Sequence, residues 1–215
     1  YTSKKQVEHV ELKEDGRLLL AASGTMLEIW SLDLDRKLIS FPLPANLRDM
    51  EISPDGRYVA LSLGDRSVPL AVHDLQTGWP LDLDVEGGTV FQNAASYLGQ
   101  PLRFSHDGRT IAFGHGNQLL LLDLDAGRTI VQSVELESFD VRAFSELRFT
   151  AEGDSVLALS VDGSLYEWHT KTGEIKQRLK DNYASTFALS PNGKYLASGS
   201  GTGQVNVRAL DTSEL

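Results

Sequence analysis

The sequence contains no cysteine among its 215 residues. Disulfide scaffolding, a cysteine nucleophile and thiolate zinc ligation are therefore excluded, and a reducing compartment is the default setting. Long hydrophobic runs are missing as well. The longest, residues 18–22 and 119–122, fall far short of the roughly 18 apolar residues that span a bilayer, so a soluble protein without a membrane partner is expected. Positive charge is scarce: 20 Lys and Arg stand against 30 Asp and Glu, a formal net charge of −10. That balance gives no overall attraction to phosphate backbones or anionic lipid, which argues against direct nucleic-acid binding. The N-terminus carries no secretory pattern, and the first residue is Tyr1 rather than Met, so a piece of a longer chain is expected.

Catalytic and metal-binding patterns are thin. His9, His73, His106, His115 and His169 show no close ligand spacing. Ser105, His106 and Asp107 are neighbours in one turn and cannot aim at one another as a nucleophilic triad must. The Gly-containing stretch from Gly199 to Gly203 lies between two apolar runs, without the following helix that a phosphate cradle uses. Asp33, Asp35, Asp82, Asp84, Asp123 and Asp125 recur in Leu-Asp-Leu-Asp pairs, without the 12-residue loop of a calcium site. They read as a solvated strand edge that discourages sheet-to-sheet association. No metal, cofactor or catalytic group is expected.

What the sequence does have is a repeat. Short apolar strand, polar turn ending in an acid or amide plus Gly, apolar strand, tight turn and apolar strand recur five times, anchored at Asp15-Gly16, Asp55-Gly56, Asp107-Gly108, Glu152-Gly153 and Asn192-Gly193. By subtraction the spacings of the paired glycines are 40, 52, 45 and 40 residues. Periods of about 40 to 45 with period-2 alternation, as in Tyr58 to Leu63, mark propeller blades rather than helical repeats. The Asp-Gly and Asn-Gly pairs supply the positive φ that tight turns between strands demand, and Pro54 and Pro191 favour the position before.

These residues resemble the WD40-repeat β-propeller family, most clearly in the runs from Ser53 to Ser62 and Ser190 to Ser200 and in the stretch containing Asp162 and Trp168. The family's Trp position is held by Trp30, His73, Leu122, Trp168 and Arg208, and the position after it by Ser31, Asp74, Asp123, His169 and Ala209. The resemblance implies an all-β chain of about five four-stranded antiparallel blades, at residues 7–46, 47–87, 88–134, 135–182 and 183–215. It implies a single propeller domain or segment, either a closed five-blade ring or an arc of a seven-blade one, the arc being preferred. It also implies that Ser160, Asp162 and Trp168 form three members of the family's hydrogen-bond tetrad, whose Gly-His dipeptide is missing. The last blade lacks an outer strand, a place that Tyr1 to Gln6 would fill if the ring closed.

Two long connections, 84–100 and 134–146, carry Phe91, Tyr97, Phe139, Arg142 and Phe144. Aromatics and Arg on neighbouring loops are typical interface anchors, so these five are the candidate protein-binding residues, with ring plugging as the alternative. The resemblance thus implies a non-enzymatic scaffold docking protein partners on its loop faces. The last two blades are similar to a U3 small nucleolar ribonucleoprotein-associated WD40 protein of the small-subunit processome, implying ribosome biogenesis in a nucleolus; otherwise the cytoplasm is expected. Two phrases equally resemble WD40 arrays of bacterial signalling ATPases and kinases. A channel-site enzyme would need converging groups on the first strands, which offer His9, Glu11, Asp49, Glu51 and Glu146.

Overall fold

The computed structural model describes residues 7–13, 16–43, 47–64, 69–83, 101–126 except 116 and 117, 128–132, 144–180 and 184–210. Among these residues the chain is all-β, in five antiparallel sheets. The first holds β1 (His9–Leu12), β2 (Leu18–Ser23), β3 (Met26–Ser31) and β4 (Arg36–Pro42), in that order. The second holds β5 (Leu47–Ile52), β6 (Tyr58–Leu63) and β7 (Leu70–Asp74). The third comprises β8 (Leu102–Phe104), β9 (Thr110–His115), β10 (Gln118–Asp123) and β11 (Arg128–Gln132), and the fourth β12 (Phe144–Phe149), β13 (Ser155–Ser160), β14 (Ser164–His169) and β15 (Ile175–Lys180). The fifth is β16 (Ala184–Leu189), β17 (Tyr195–Ser200) and β18 (Val205–Ala209). Each sheet is an up-and-down meander, as WD40-like blades are. Among the described residues the expected fourth strand of the second blade is one bridge, His73 with Pro80, where proline has no N–H to continue a ladder.

The turn chemistry explains why the strands begin and end where they do. Gly56 adopts φ +74°, and its N–H donates to the Ser53 carbonyl at 2.8 Å. The hydroxyl of Ser53 donates to Asp55 and accepts from the Tyr58 N–H, so one serine braces both sides of the turn. Ser105 with Asp107 and Ser190 with Asn192 repeat this brace. Thr150 with Asp154 is a variant of it.

The chain packs as two compact units, Tyr1–Asp82 and Leu83–Leu215, each with its own core. In the first, Leu20, Leu27 and Ile29 of one sheet meet Met50, Ile52, Val59 and Leu61 of the next. In the second, Trp168, Tyr166 and Val156 of the fourth sheet pack with Phe144 and Leu147 of the same sheet and with Ala112, Leu119 and Leu121 of the third. Leu157, Leu159 and Leu165 bury the other face of the fourth sheet against Phe187 and Leu196 of the fifth. The same polar device recurs at the first strands in both units. Glu11 on β1 accepts from the Ile52 N–H on β5 at 3.1 Å, and Glu146 on β12 accepts from the Phe187 N–H on β16 at 3.3 Å. Both donors lie 41 residues beyond their acceptor, so this register repeats with the blade.

Candidate interaction surface

Of the five candidate anchors, Phe91, Tyr97, Phe139 and Arg142 lie outside the described residues. Phe144 is described, and it corrects the sequence reading: it opens β12, is 0% exposed, and belongs to the core rather than to a surface. Its ring meets Trp168 edge-on at 5.5 Å and Tyr166 edge-on at 6.4 Å. The sequence places it at the end of a polar connection, yet its register opposite Ser160 turns it inward among the aromatics of the same sheet.

The proposed partial tetrad also needs correction. Trp168 pairs across from Val156, whereas Ser160 ends the same strand four residues further along, roughly 13 Å away at the usual rise of a strand. The two side chains cannot meet, and the Trp168 indole N–H has no hydrogen-bond partner among the described residues. Asp162 instead braces its own turn, accepting from the Ser164 N–H at 2.8 Å and from its hydroxyl at 3.1 Å. Trp30, at the matching place in the first sheet, is half-buried with the Lys37 ammonium 5.8 Å from its ring centroid.

The residues after the Trp position have a function that sequence reasoning missed. Asp74 accepts from the N–H groups of Gln76 and Thr77 at 2.7 and 3.1 Å; Asp123 from those of Asp125 and Ala126; His169, through Nδ1, from those of Lys171 and Thr172. Ser31 does the same for Leu34. Side chains of three kinds, Ser, Asp and His, thus cap the equivalent turn, since what the turn needs is an acceptor a short reach from its own backbone. The signal was the shared polar character at that place. Asp123 in the Leu-Asp-Leu-Asp pattern is therefore a turn cap as well as a solvated edge.

Asp74 carries the fullest version. Burial alone would raise the pKa of its carboxyl, but donation from Gln76 and Thr77 and the Arg57 guanidinium, at 3.2 Å, outweigh this and hold it below the usual 3.8. Its contribution to stability is complete above the unfolded value and is lost as pH falls through the lower folded one. Asp74→Ala is expected to cost about 2 kcal/mol in urea unfolding at pH 7, with a smaller difference near pH 3. Equal costs at the two pH values would contradict the assignment.

His169 is a turn cap, and two other histidines have different settings. His73 stacks on Phe41 at 4.2 Å and 19°, and burial lowers its pKa, favouring the neutral ring. His106 is exposed in its turn, and the Ser105 hydroxyl beside it is committed to Asp107 at 2.6 Å. Among the described residues no group of three His, Cys, Asp or Glu is placed to hold a metal. Among the described residues no helix is long and apolar enough to cross a membrane.

Large apolar side chains that do face solvent include Trp79, 74% exposed in the turn after β7, and Val205 and Val207 of β18, 73% and 68% exposed. Trp79 escaped the sequence reading because it lies in a short Gly78-Trp79-Pro80 turn rather than in a long loop.

Comparison with known proteins agrees with this geometry. Residues 174–207 match the family described as WD domain, G-beta repeat. The match begins beside β15 in the fourth sheet and ends in β18 in the fifth, so one sequence repeat stitches two sheets together. The chain is also similar to the "Probable U3 small nucleolar RNA-associated protein 18" of Schizosaccharomyces pombe, with 35% identity over 72 residues. That stretch covers 32% of this chain and 14% of the relative.

Proposed function

We propose that this chain, with a WD40 repeat at residues 174–207 and five blade-like sheets, is a non-enzymatic scaffold that docks protein partners within a larger complex. WD40 repeats generally mediate protein-protein interaction, which is the coarse statement the family match carries. The observation that supports the finer one is how the polar side chains are used. Asp74, Asp123 and His169 cap turns, Ser105 and Asp107 brace one, and Glu11 and Glu146 tie adjacent first strands together. Of the first-strand carboxylates a channel enzyme would draw on, Glu11 and Glu146 are thus engaged between strands, while Trp79 offers a large ring to a partner.

On this reading Phe91, Tyr97, Phe139 and Arg142 anchor one partner and Trp79 adds a separate contact. Trp79→Ala is expected to leave the urea midpoint within the change of about 0.5 kcal/mol usual for surface positions, while weakening partner retention. A large drop in the midpoint would show that Trp79 serves the fold instead.

A second reading places the scaffold in a ribonucleoprotein complex, in a nucleolus, as the name of the similar U3 small nucleolar RNA-associated protein suggests. The net charge of −10 favours contact with the protein components of such a complex over its RNA. Affinity purification of the intact complex with and without ribonuclease tests both readings. The scaffold reading expects protein partners that survive the digestion. Partners released by ribonuclease would show that the chain is held through RNA.

A further inference from the structure

Asn192 is the one asparagine of the sequence that precedes a glycine; the five others precede Leu, Ala, Gln, Tyr and Val. It is exposed, in the turn between β16 and β17. Glycine has no Cβ to hinder its own nitrogen, so in an Asn-Gly pair that nitrogen can reach the asparagine Cγ. The turn closes this path while it is formed. The Gly193 N–H donates to the Ser190 carbonyl at 2.9 Å, and Asn192 Oδ1 accepts from the Ser190 hydroxyl at 2.7 Å and from the Lys194 N–H at 3.2 Å. Attack therefore requires local opening of the turn, and the brace sets how often that happens.

Two sister turns show how a carboxylate behaves at the same place. Asp55 accepts from the Ser53 hydroxyl and the Arg57 N–H, and Asp107 from the Ser105 hydroxyl and the Arg109 N–H. Donation from Ser105 and from the Arg109 N–H holds the Asp107 pKa below 3.8 against the effect of burial. A carboxylate thus fits the brace. A basic residue follows the turn in all three, as Arg57, Arg109 and Lys194. The facing turn is what differs. A Cβ built on Gly56 would meet the Lys13 ammonium at 2.6 Å, whereas one on Gly193 would stand 3.5 Å from a Glu152 carboxylate oxygen and 3.2 Å from Ala151 Cβ. Asp55 thus has a cation across the gap, and Asn192 has an anion.

We propose that Asn192 is a self-modifying site, at which water converts the side-chain amide to a carboxylate through a cyclic imide with Gly193, and that the new charge faces Glu152 across two adjoining turns. The Gly193 nitrogen bonds to Asn192 Cγ and gives its proton to solvent; the Cγ–Nδ2 bond breaks and ammonia leaves. Water then opens the imide. Breaking its bond from Cγ to the Gly193 nitrogen gives Asp, and breaking the main-chain bond gives isoaspartate. One water is consumed and one ammonia released, and one negative charge is added to the formal −10. The Asp product can take up the brace that Asp55 and Asp107 make, whereas isoaspartate lengthens the main chain by one carbon and falls out of step with it.

The test incubates the full chain in mildly alkaline buffer, native and in urea, and follows each asparagine by peptide mass spectrometry with the Asp and isoaspartate forms separated. The Asn192 peptide of the native chain is expected to lose its amide about tenfold faster than peptides of the other five asparagines. Ser190→Ala is expected to raise the native rate about fivefold to tenfold, the value of one hydrogen bond, and to leave the rate in urea unchanged. Ser190→Thr, which keeps a hydroxyl as Thr150 does in the fourth sheet, is expected to retain the native rate. Asn192→Asp is expected to fold with a slightly lower urea midpoint at low salt, a deficit that high salt reduces and Glu152→Gln removes. An Asn192 amide that outlasts the other asparagines, or a Ser190→Ala rate equal to that of the native chain, would overturn the site. An absent deficit in Asn192→Asp, or one indifferent to salt and to Glu152→Gln, would overturn the charge contact.

Discussion

Trp168→Ala is expected to lower the stability of the chain by about 3 to 5 kcal/mol, the range for truncating a fully buried large aromatic. The ring is 1% exposed and lies between two others, Phe144 edge-on at 5.5 Å and Tyr166 tilted at 5.4 Å. Edge-to-face and tilted contacts of this kind add about 0.5 to 1.5 kcal/mol each beyond the area they bury. Removing the indole forfeits both contacts and leaves a cavity between the third and fourth sheets. Among the described residues the indole N–H makes no hydrogen bond, so the expected loss is one of packing. Trp168→Phe is accordingly expected to cost less than half as much, because it keeps a ring and removes a buried donor with no acceptor. Urea unfolding of the two variants decides the matter. Equal losses would mean that a polar contact of the indole, and not its bulk, holds the sheet.

Phe144→Ala carries the second large effect, about 3 to 5 kcal/mol, and it separates two roles that the sequence confuses. A residue on a docking loop would lose partner binding with the urea midpoint unchanged. A core residue loses stability first, and any partner loss then scales with the unfolded fraction. Because Phe144 and Trp168 touch, their double substitution is expected to cost less than the sum of the singles, since one cavity serves both. A strictly additive pair would contradict the shared cluster. Gly114 tightens the same region: a Cβ there would stand 3.3 Å from Phe144 Cβ and from two carbons of Pro101.

Much of the fold was legible because hairpins advertise themselves locally. Asp55-Gly56 and Asn192-Gly193 state the turn, the alternation from Tyr58 to Leu63 states the strand, and the five turns state the period. The serine brace is written in the same few residues. What escaped was whatever depends on register between strands. Trp168 and Ser160 stand eight residues apart in sequence, yet they lie at opposite ends of one hairpin, and only pairing against Val156 shows it. Phe144 reads as the tail of a loop until its place opposite Ser160 turns it inward. The reach from Glu11 to Ile52 and from Glu146 to Phe187 joins first strands of successive sheets, and no local motif announces it. The turn caps were hidden differently. Ser31, Asp74, Asp123 and His169 share a task across three residue types, so comparison by residue type alone does not group them.

The candidate site divides along the same line. Phe91, Tyr97, Phe139 and Arg142 were chosen by residue type in long connections, and they stand as proposals for the docking face. Trp79 emerges from its exposure, which composition does not encode.

The most direct measurement is quantitative co-purification of partners with the native chain and with a chain carrying Phe91→Ala, Tyr97→Ala, Phe139→Ala and Arg142→Ala, both checked for the same urea midpoint. The scaffold account expects a defined protein partner, recovered near one to one with the native chain and reduced at least tenfold with the altered one. An unchanged partner set, or no stoichiometric protein on the native chain, would contradict it.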